Sequence, residues 1–194
     1  MQLRSIFAFI LLGWASAALA QAPTAVRVLT PFNARGDLVV GLGVAGEVRG
    51  RCDAPSAASP ERPDAWRCSA GNEILDPCFQ NLLGDAKVLA CAEDPFSADV
   101  TLLTLTADLP DPAVTDEPTF SGLPWAVELA NGGRCTLLTG GTAPVAGLRV
   151  NYGCEGGAEV AGGTDRRLPR WRVLYRTAAR SPALEQVGVK VAWY

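Results

Sequence analysis

The sequence predicts a mainly β protein: a single antiparallel β domain, sandwich or barrel-like, with little helix and stapled by disulfides. Three observations carry that prediction. Short runs of alternating apolar and polar residues recur along the chain, separated by glycine, proline and asparagine turn signals. Residues Val100 to Thr106 read Val-Thr-Leu-Leu-Thr-Leu-Thr, a composition that suits a pleated, half-buried surface. Six cysteines, an even number, stand in a chain that opens on an export signal.

That signal occupies residues 1–20. Arg4 precedes an apolar run from Ile6 to Leu12, and Ala18-Leu19-Ala20 precedes Gln21, the pattern of a cleaved secretory leader whose apolar run is too short to span a bilayer. No cysteine stands directly after the cleavage position, the first being Cys52, so no lipid anchor is expected. Residues 21–194 are expected to form one exported domain, secreted or periplasmic, with no membrane span. Arginine, alanine and glycine are abundant and Lys87 and Lys190 are the only lysines, a bias associated with GC-rich bacterial genomes.

Taken in order, Thr24 to Leu29 and Leu38 to Val48 read as the first two strands. The string Gly41-Leu42-Gly43-Val44-Ala45-Gly46 matches a dinucleotide fingerprint, but Glu47 to Cys52 has no helical period, so no helix N-terminus follows to hold a pyrophosphate. The run from Arg51 to Phe79 carries three cysteines and is read as an ordered loop stapled at both ends, with Asp76-Pro77 turning the chain before Cys78. Phe79 to Leu83 is a short helix or turn, Lys87 to Ala92 a strand, and Val100 to Thr106 the clearest strand. Asp108 to Pro118, with three prolines and four acids, is a linker within the domain or an exposed loop. Trp125 to Leu129 alternates, Asn131-Gly132-Gly133 is a hairpin turn, and the chain returns from Cys135 to Leu138. Strands follow at Leu148 to Tyr152, between the glycine pairs at Gly156 and Gly162, at Arg170 to Arg176 and at Val187 to Trp193, with a short helix at Ser181 to Gln186.

Six cysteines allow 15 pairings. Spacing favours neighbours: Cys52 with Cys68, Cys78 with Cys91, and Cys135 with Cys154, each closing a short loop worth about 3 kcal/mol in the chain-entropy account.

Asp64-Ala65-Trp66-Arg67-Cys68, Gly71-Asn72, Asp76-Pro77-Cys78-Phe79, Pro124-Trp125 with Leu129, Asn131-Gly132 and Cys135, and Tyr152 with Cys154 resemble a cysteine-rich module of exported proteins in actinobacteria and similar bacteria. That module also occurs as the outer part of membrane-anchored proteins. The resemblance runs from about Cys52 to Tyr194. It implies export and a disulfide framework; the family has no established activity, so no catalytic residue is carried over.

The residue inventory narrows the chemistry. With no histidine, Ser-His-Asp and Cys-His nucleophiles and the usual histidine zinc sites are excluded. Cysteines held in disulfides are neither nucleophiles nor metal ligands. A Ser-Lys dyad would need Lys87 or Lys190, both within strand-like runs. A net charge of −3, one unit more negative without Arg4, gives no general attraction for nucleic acid. No catalytic residue, cofactor or metal is assigned. The carboxylates Glu73, Asp76 and Glu128 keep a glycan hydrolase open as the alternative. Asp108, Asp111, Asp116 and Glu117 lack the spacing and glycine of a calcium loop. Arg166, Arg167, Arg170, Arg172 and Arg176 form the largest like-charged group, suited to an anionic envelope polymer or acidic partner.

The expectation is therefore an exported, non-catalytic protein that binds an envelope component or protein partner, with Trp66, Asn72, Asp76, Trp125 and Tyr152 as candidate binding residues. A weaker reading makes it an inhibitor of a secreted enzyme, using the Asp53 to Pro63 loop as the inserting segment.

Overall fold

The structure, a computed structural model, describes residues 21–111, 122–177 and 183–194. The leader, part of the Asp108 to Pro118 loop and the start of the Ser181 to Gln186 segment lie outside the described residues. The regular secondary structure of the described residues is almost all strand, arranged as two closed barrels.

The first barrel is built from β2 (Gly43–Pro55), β3 (Ala65–Ala70), β4 (Glu73–Gln80), β5 (Val88–Cys91) and β6 (Asp99–Leu105). Successive strands pair antiparallel, and the ring closes where β2 and β6 run parallel from Gly43↔Asp99 to Gly50↔Leu105. A Cβ at Gly50 would collide with the carbonyl oxygen of Ser69, so the tight passage of β2 past β3 requires glycine there. The period of two splits the strands cleanly. Trp66, Cys68, Cys78, Leu89, Cys91 and Leu103 fill the interior, while Ala65, Phe79, Ala90 and Val100 lie in a separate cluster on the other face.

The second barrel runs β7 (Ala126–Leu129), β8 (Arg134–Leu137), β10 (Leu148–Cys154), β11 (Glu159–Asp165), β12 (Arg172–Arg176) and β13 (Glu185–Trp193), which returns to pair with β7. A two-residue strand, β9 (Pro144–Val145), folds against β10. The first strand, β1 (Ala25–Arg27), runs parallel to the end of β13. Thr24 makes the junction: Val189 donates its N–H to Trp171 and accepts from the Thr24 hydroxyl at 2.7 Å, so β1 takes over the edge of β13 where β12 leaves it. Val127, Leu129, Tyr152, Val160, Val173 and Val189 form the core.

The barrels meet through the outer face of the first. Trp125, just before β7, packs edge-on against Phe79 with ring centroids 5.8 Å apart, and Leu29, Phe32, Leu38 and Leu42 close over the same cluster. Arg62 locks this junction. It stacks on Phe79 at 4.9 Å, pairs with both oxygens of Asp64 and donates to the Leu29 carbonyl.

All three disulfides join the pairs that spacing favours, Cys52–Cys68, Cys78–Cys91 and Cys135–Cys154. Each joins register partners on adjacent antiparallel strands, which is why a short loop separates each pair in sequence. The Asn131-Gly132 hairpin also forms, with Gly132 at φ 90°.

Several expectations are corrected. The Arg51 to Phe79 run is a loop only between β2 and β3; the rest is the end of β2 and a β3–β4 hairpin turning at Gly71 and Asn72. Pro77 lies inside β4, where Trp66 pairs with Cys78 but Cys68 pairs with Leu75. That bulge leaves Pro77 without a rung to supply, so its missing N–H costs nothing. Phe79 and Gln80 end β4 rather than starting a helix, and Glu185 and Gln186 begin β13. The strand expected at Leu38 to Val48 starts only at Gly43 and runs on to Pro55. Two pairings, β2 with β6 and β1 with β13, are parallel rather than antiparallel.

Candidate functional site

The three aromatic candidates are buried in three different cores. Trp66 is 4% exposed inside the first barrel, Trp125 is 1% exposed between the barrels, and Tyr152 is fully enclosed in the second. The Tyr152 hydroxyl donates to the Pro124 carbonyl at 2.9 Å, and burial holds its phenol above the usual range. None of the three reaches a ligand from solvent. Asn72 is exposed at the tip of the β3–β4 turn. Among the five candidates, Asp76 alone lines one of the cavities described next.

A cavity of about 220 Å³ is bounded by Glu73, Ile74, Leu75 and Asp76 of β4, by Cys91, Ala92 and Glu93, and by Thr101. A second, of about 360 Å³, shares Cys91, Glu93 and Thr101 and adds Asp94, Ser97 and Asp99. Together they form an open mouth at one end of the first barrel. Its origin is the shortness of β5. That strand ends at Cys91, whereas β4 extends to Glu73 beyond its last rung with β5, and β6 begins at Asp99 before its first. Asp94 ends β5 by accepting the N–H groups of Phe96 and Ser97 at 2.7 and 2.8 Å, and Pro95 follows it. The loop then leaves the barrel: Phe96 stacks under the Arg134 guanidinium of β8 at 5.6 Å, and Arg134 also faces Glu155 at 3.9 Å.

The mouth is acidic. Glu73, Glu93 and Asp99 are exposed, and none of them makes an ion pair among the described residues. Asp76 is different. It accepts from the Ser56 hydroxyl at 2.5 Å and from the Ala57 N–H at 3.2 Å, pinning the β2–β3 loop to β4. Burial raises its carboxyl above the usual 3.8, with Ser56, Ala57, Ala58 and Arg67 pulling the other way.

A raised carboxyl means that the folded state binds the proton more tightly than the unfolded chain. This contribution to stability is complete below 3.8 and is lost as pH rises through the folded value. Asp165 slopes the opposite way, because its exposed carboxylate is lowered to about 2 by Arg167. Asp76→Asn is therefore expected to remove a falling component: wild-type minus variant stability should decline as pH rises from below 4, with Asp165 cancelling in the difference. Urea denaturation across that range checks it, and a flat or rising difference would refute it.

The remaining candidates are placed elsewhere. Glu128 faces Lys190 at 3.7 Å on the second barrel, apart from Glu73 and Asp76. Each residue of the arginine group has an acceptor or a ring within the chain. Arg166 stacks on Trp171 at 4.4 Å, Arg167 pairs with Asp165, Arg170 donates to the Ala22 carbonyl, Arg172 meets Gln186 and Arg176 pairs with Glu159. The row is thus largely spent on holding its own barrel. The β2–β3 loop, expected as an inserting segment, is tied down by Asp76 and Arg62 and buries Ser56, Ala58 and Ser59. Among the described residues no three histidine, cysteine, aspartate or glutamate side chains converge as metal ligands; Asp116 and Glu117 lie outside them.

Fold and site together define a disulfide-braced double β-barrel with one acid-lined opening. No protein-family model, no curated protein and no solved structure matches the chain.

Proposed function

We propose that the protein is an exported, non-catalytic module that binds a protein partner at the mouth of its first barrel. The observation that carries this reading is the mouth itself: a barrel held open by a short strand, lined by Glu73, Glu93 and Asp99, none with an ion-pair partner among the described residues. Cys78–Cys91 ties β4 to β5 at the inner end of the opening and Cys52–Cys68 ties β2 to β3 in the same ring, and a preformed site lowers the ordering cost of binding. Export is supported by the leader pattern and by the three disulfides, which persist in oxidising compartments.

The alternative, a carboxylate-dependent glycan hydrolase, draws on Glu73 and Asp76 sharing one cavity. Against it, both oxygens of Asp76 are engaged by the β2–β3 loop.

Titration with lysine-rich, neutral and glutamate-rich octapeptides, followed through backbone amide shifts, tests the reading. The lysine-rich peptide should move resonances at 73–76, 91–94 and 99–101 and the glutamate-rich one should not. Shifts that are absent, or that fall mainly elsewhere, would overturn it.

A further inference from the structure

The opening is a missing stretch of strand. From Glu73 to Leu75, β4 is paired with β3 on one edge and, among the described residues, has no strand on the other; its pairing with β5 starts only at Cys78. Across the gap, Asp99 and Val100 are paired with β2 on one edge, and the pairing of β6 with β5 starts at Thr101. The last backbone contact before the gap is Ala92 N–H to the Pro77 carbonyl at 3.1 Å. Among the described residues no further backbone hydrogen bond reaches Glu73 to Asp76 from that side. Because β4 and β6 flank β5, the two edges should stand about 10 Å apart, twice the strand spacing, with room for one extended chain.

Such edges present unpaired N–H and C=O groups that readily accept another strand. The β4 edge is not blunted, whereas on β6 the Asp99 N–H already donates to the Ser97 hydroxyl at 3.0 Å, a bond that an incoming strand would replace. No lysine or proline stands between Glu73 and Asp76, and Ile74 turns an exposed apolar side chain outward, 59% accessible, where a neighbouring strand would cover it. The unpaired edges make the site, and the charge on its rim selects the occupant: Glu73, Glu93 and Asp99 disfavour an acidic chain and complement a basic one.

We propose that an extended segment of a protein partner, bearing lysine or arginine at alternate positions, completes the first barrel by lying as a strand between β4 and β6. Four residues match the stretch from Glu73 to Asp76. Main-chain hydrogen bonds supply the affinity, and the alternate basic side chains meet the carboxylates. The inference rests on the reading of the mouth as the binding site and adds the mode and the class of partner.

The probe is a capped octapeptide of alternating lysine and threonine, compared with two versions N-methylated at either the lysine or the threonine amides. A strand-added peptide directs alternate amides at a protein edge, so at least one methylated version should bind ten-fold or more weakly. The Ile74 amide, which lies on the edge of β4 turned toward the gap, should also exchange more slowly in the complex. If both methylated peptides bind as well as the parent, with shifts still centred on the mouth, strand addition is overturned while the binding site stands. If the parent peptide does not bind, or binds elsewhere, both fail. Because the exchange measurement uses the unaltered protein, no folding defect can obscure the answer.

Discussion

Trp125→Ala is expected to destabilise the protein by about 3–5 kcal/mol, the range for truncating a buried aromatic side chain. Trp125 is 1% exposed and sits where the two barrels touch, edge-on to Phe79 in the cluster that also holds Ala65, Ala90 and Val100. Its backbone belongs to the second barrel: its carbonyl accepts from Leu137, and the preceding Pro124 carbonyl accepts the Tyr152 hydroxyl. Removing the indole leaves a void between two rigid sheets, neither of which can collapse into it without breaking its own ring. Phe79→Ala should cost a similar amount, and the double variant less than the sum, because the aromatic pair itself is worth about 0.5–1.5 kcal/mol. Urea denaturation followed by circular dichroism measures all three. A loss under about 1 kcal/mol for Trp125→Ala would show that the barrels are not coupled through this side chain.

What sequence made visible was local, and what it hid was relational. The Asn131-Gly132 turn, the Thr-rich β6 and the alternation of β12 and β13 are each written in a handful of adjacent residues. The cysteine pairs were legible for the same reason, since each joins strands adjacent in its sheet and closes a ring of at most 19 residues. The β3–β4 hairpin was not. Asp76-Pro77 and Gly71-Asn72 are turn signals by themselves, and only the register with β3 shows that Pro77 falls on a bulge where no N–H is called for. Nor does a period of two say which aromatic face points inward, so Trp66, Trp125 and Tyr152 stand as candidate ligand contacts although core positions account for them as well. Their burial decides it. The mouth was least legible. Glu73 and Asp76 drew attention, but Glu93 and Asp99 did not, because the opening depends on where β5 stops relative to β4 and β6. That is a relation among three strands, and one wall comes from a parallel pairing of β2 with β6 across a long stretch of chain.

Losing Cys135–Cys154 should cost about 3 kcal/mol from chain entropy alone, and its effect should be confined in space. In the first barrel one bridge ties β2 to β3 and another ties β4 to β5, with a two-residue turn linking β3 to β4, so either bridge can go while the other still holds part of the sheet. The second barrel has a single bridge, between β8 and β10, and β11, β12 and β13 are held by hydrogen bonds and packing alone. Cys135 is also fully buried, so Cys135→Ala with Cys154→Ala removes packing as well as the constraint. Selective reduction would remove only the constraint, and the double variant should be the less stable of the two. Hydrogen exchange in the variant should accelerate across β7, β8 and β10 while β3 to β6 stay protected, since the first barrel keeps its own core and both of its bridges. Equal acceleration in both barrels would mean that they open as one unit. The Trp125 junction would then be stronger than either ring, and the spatial confinement argued here would be wrong.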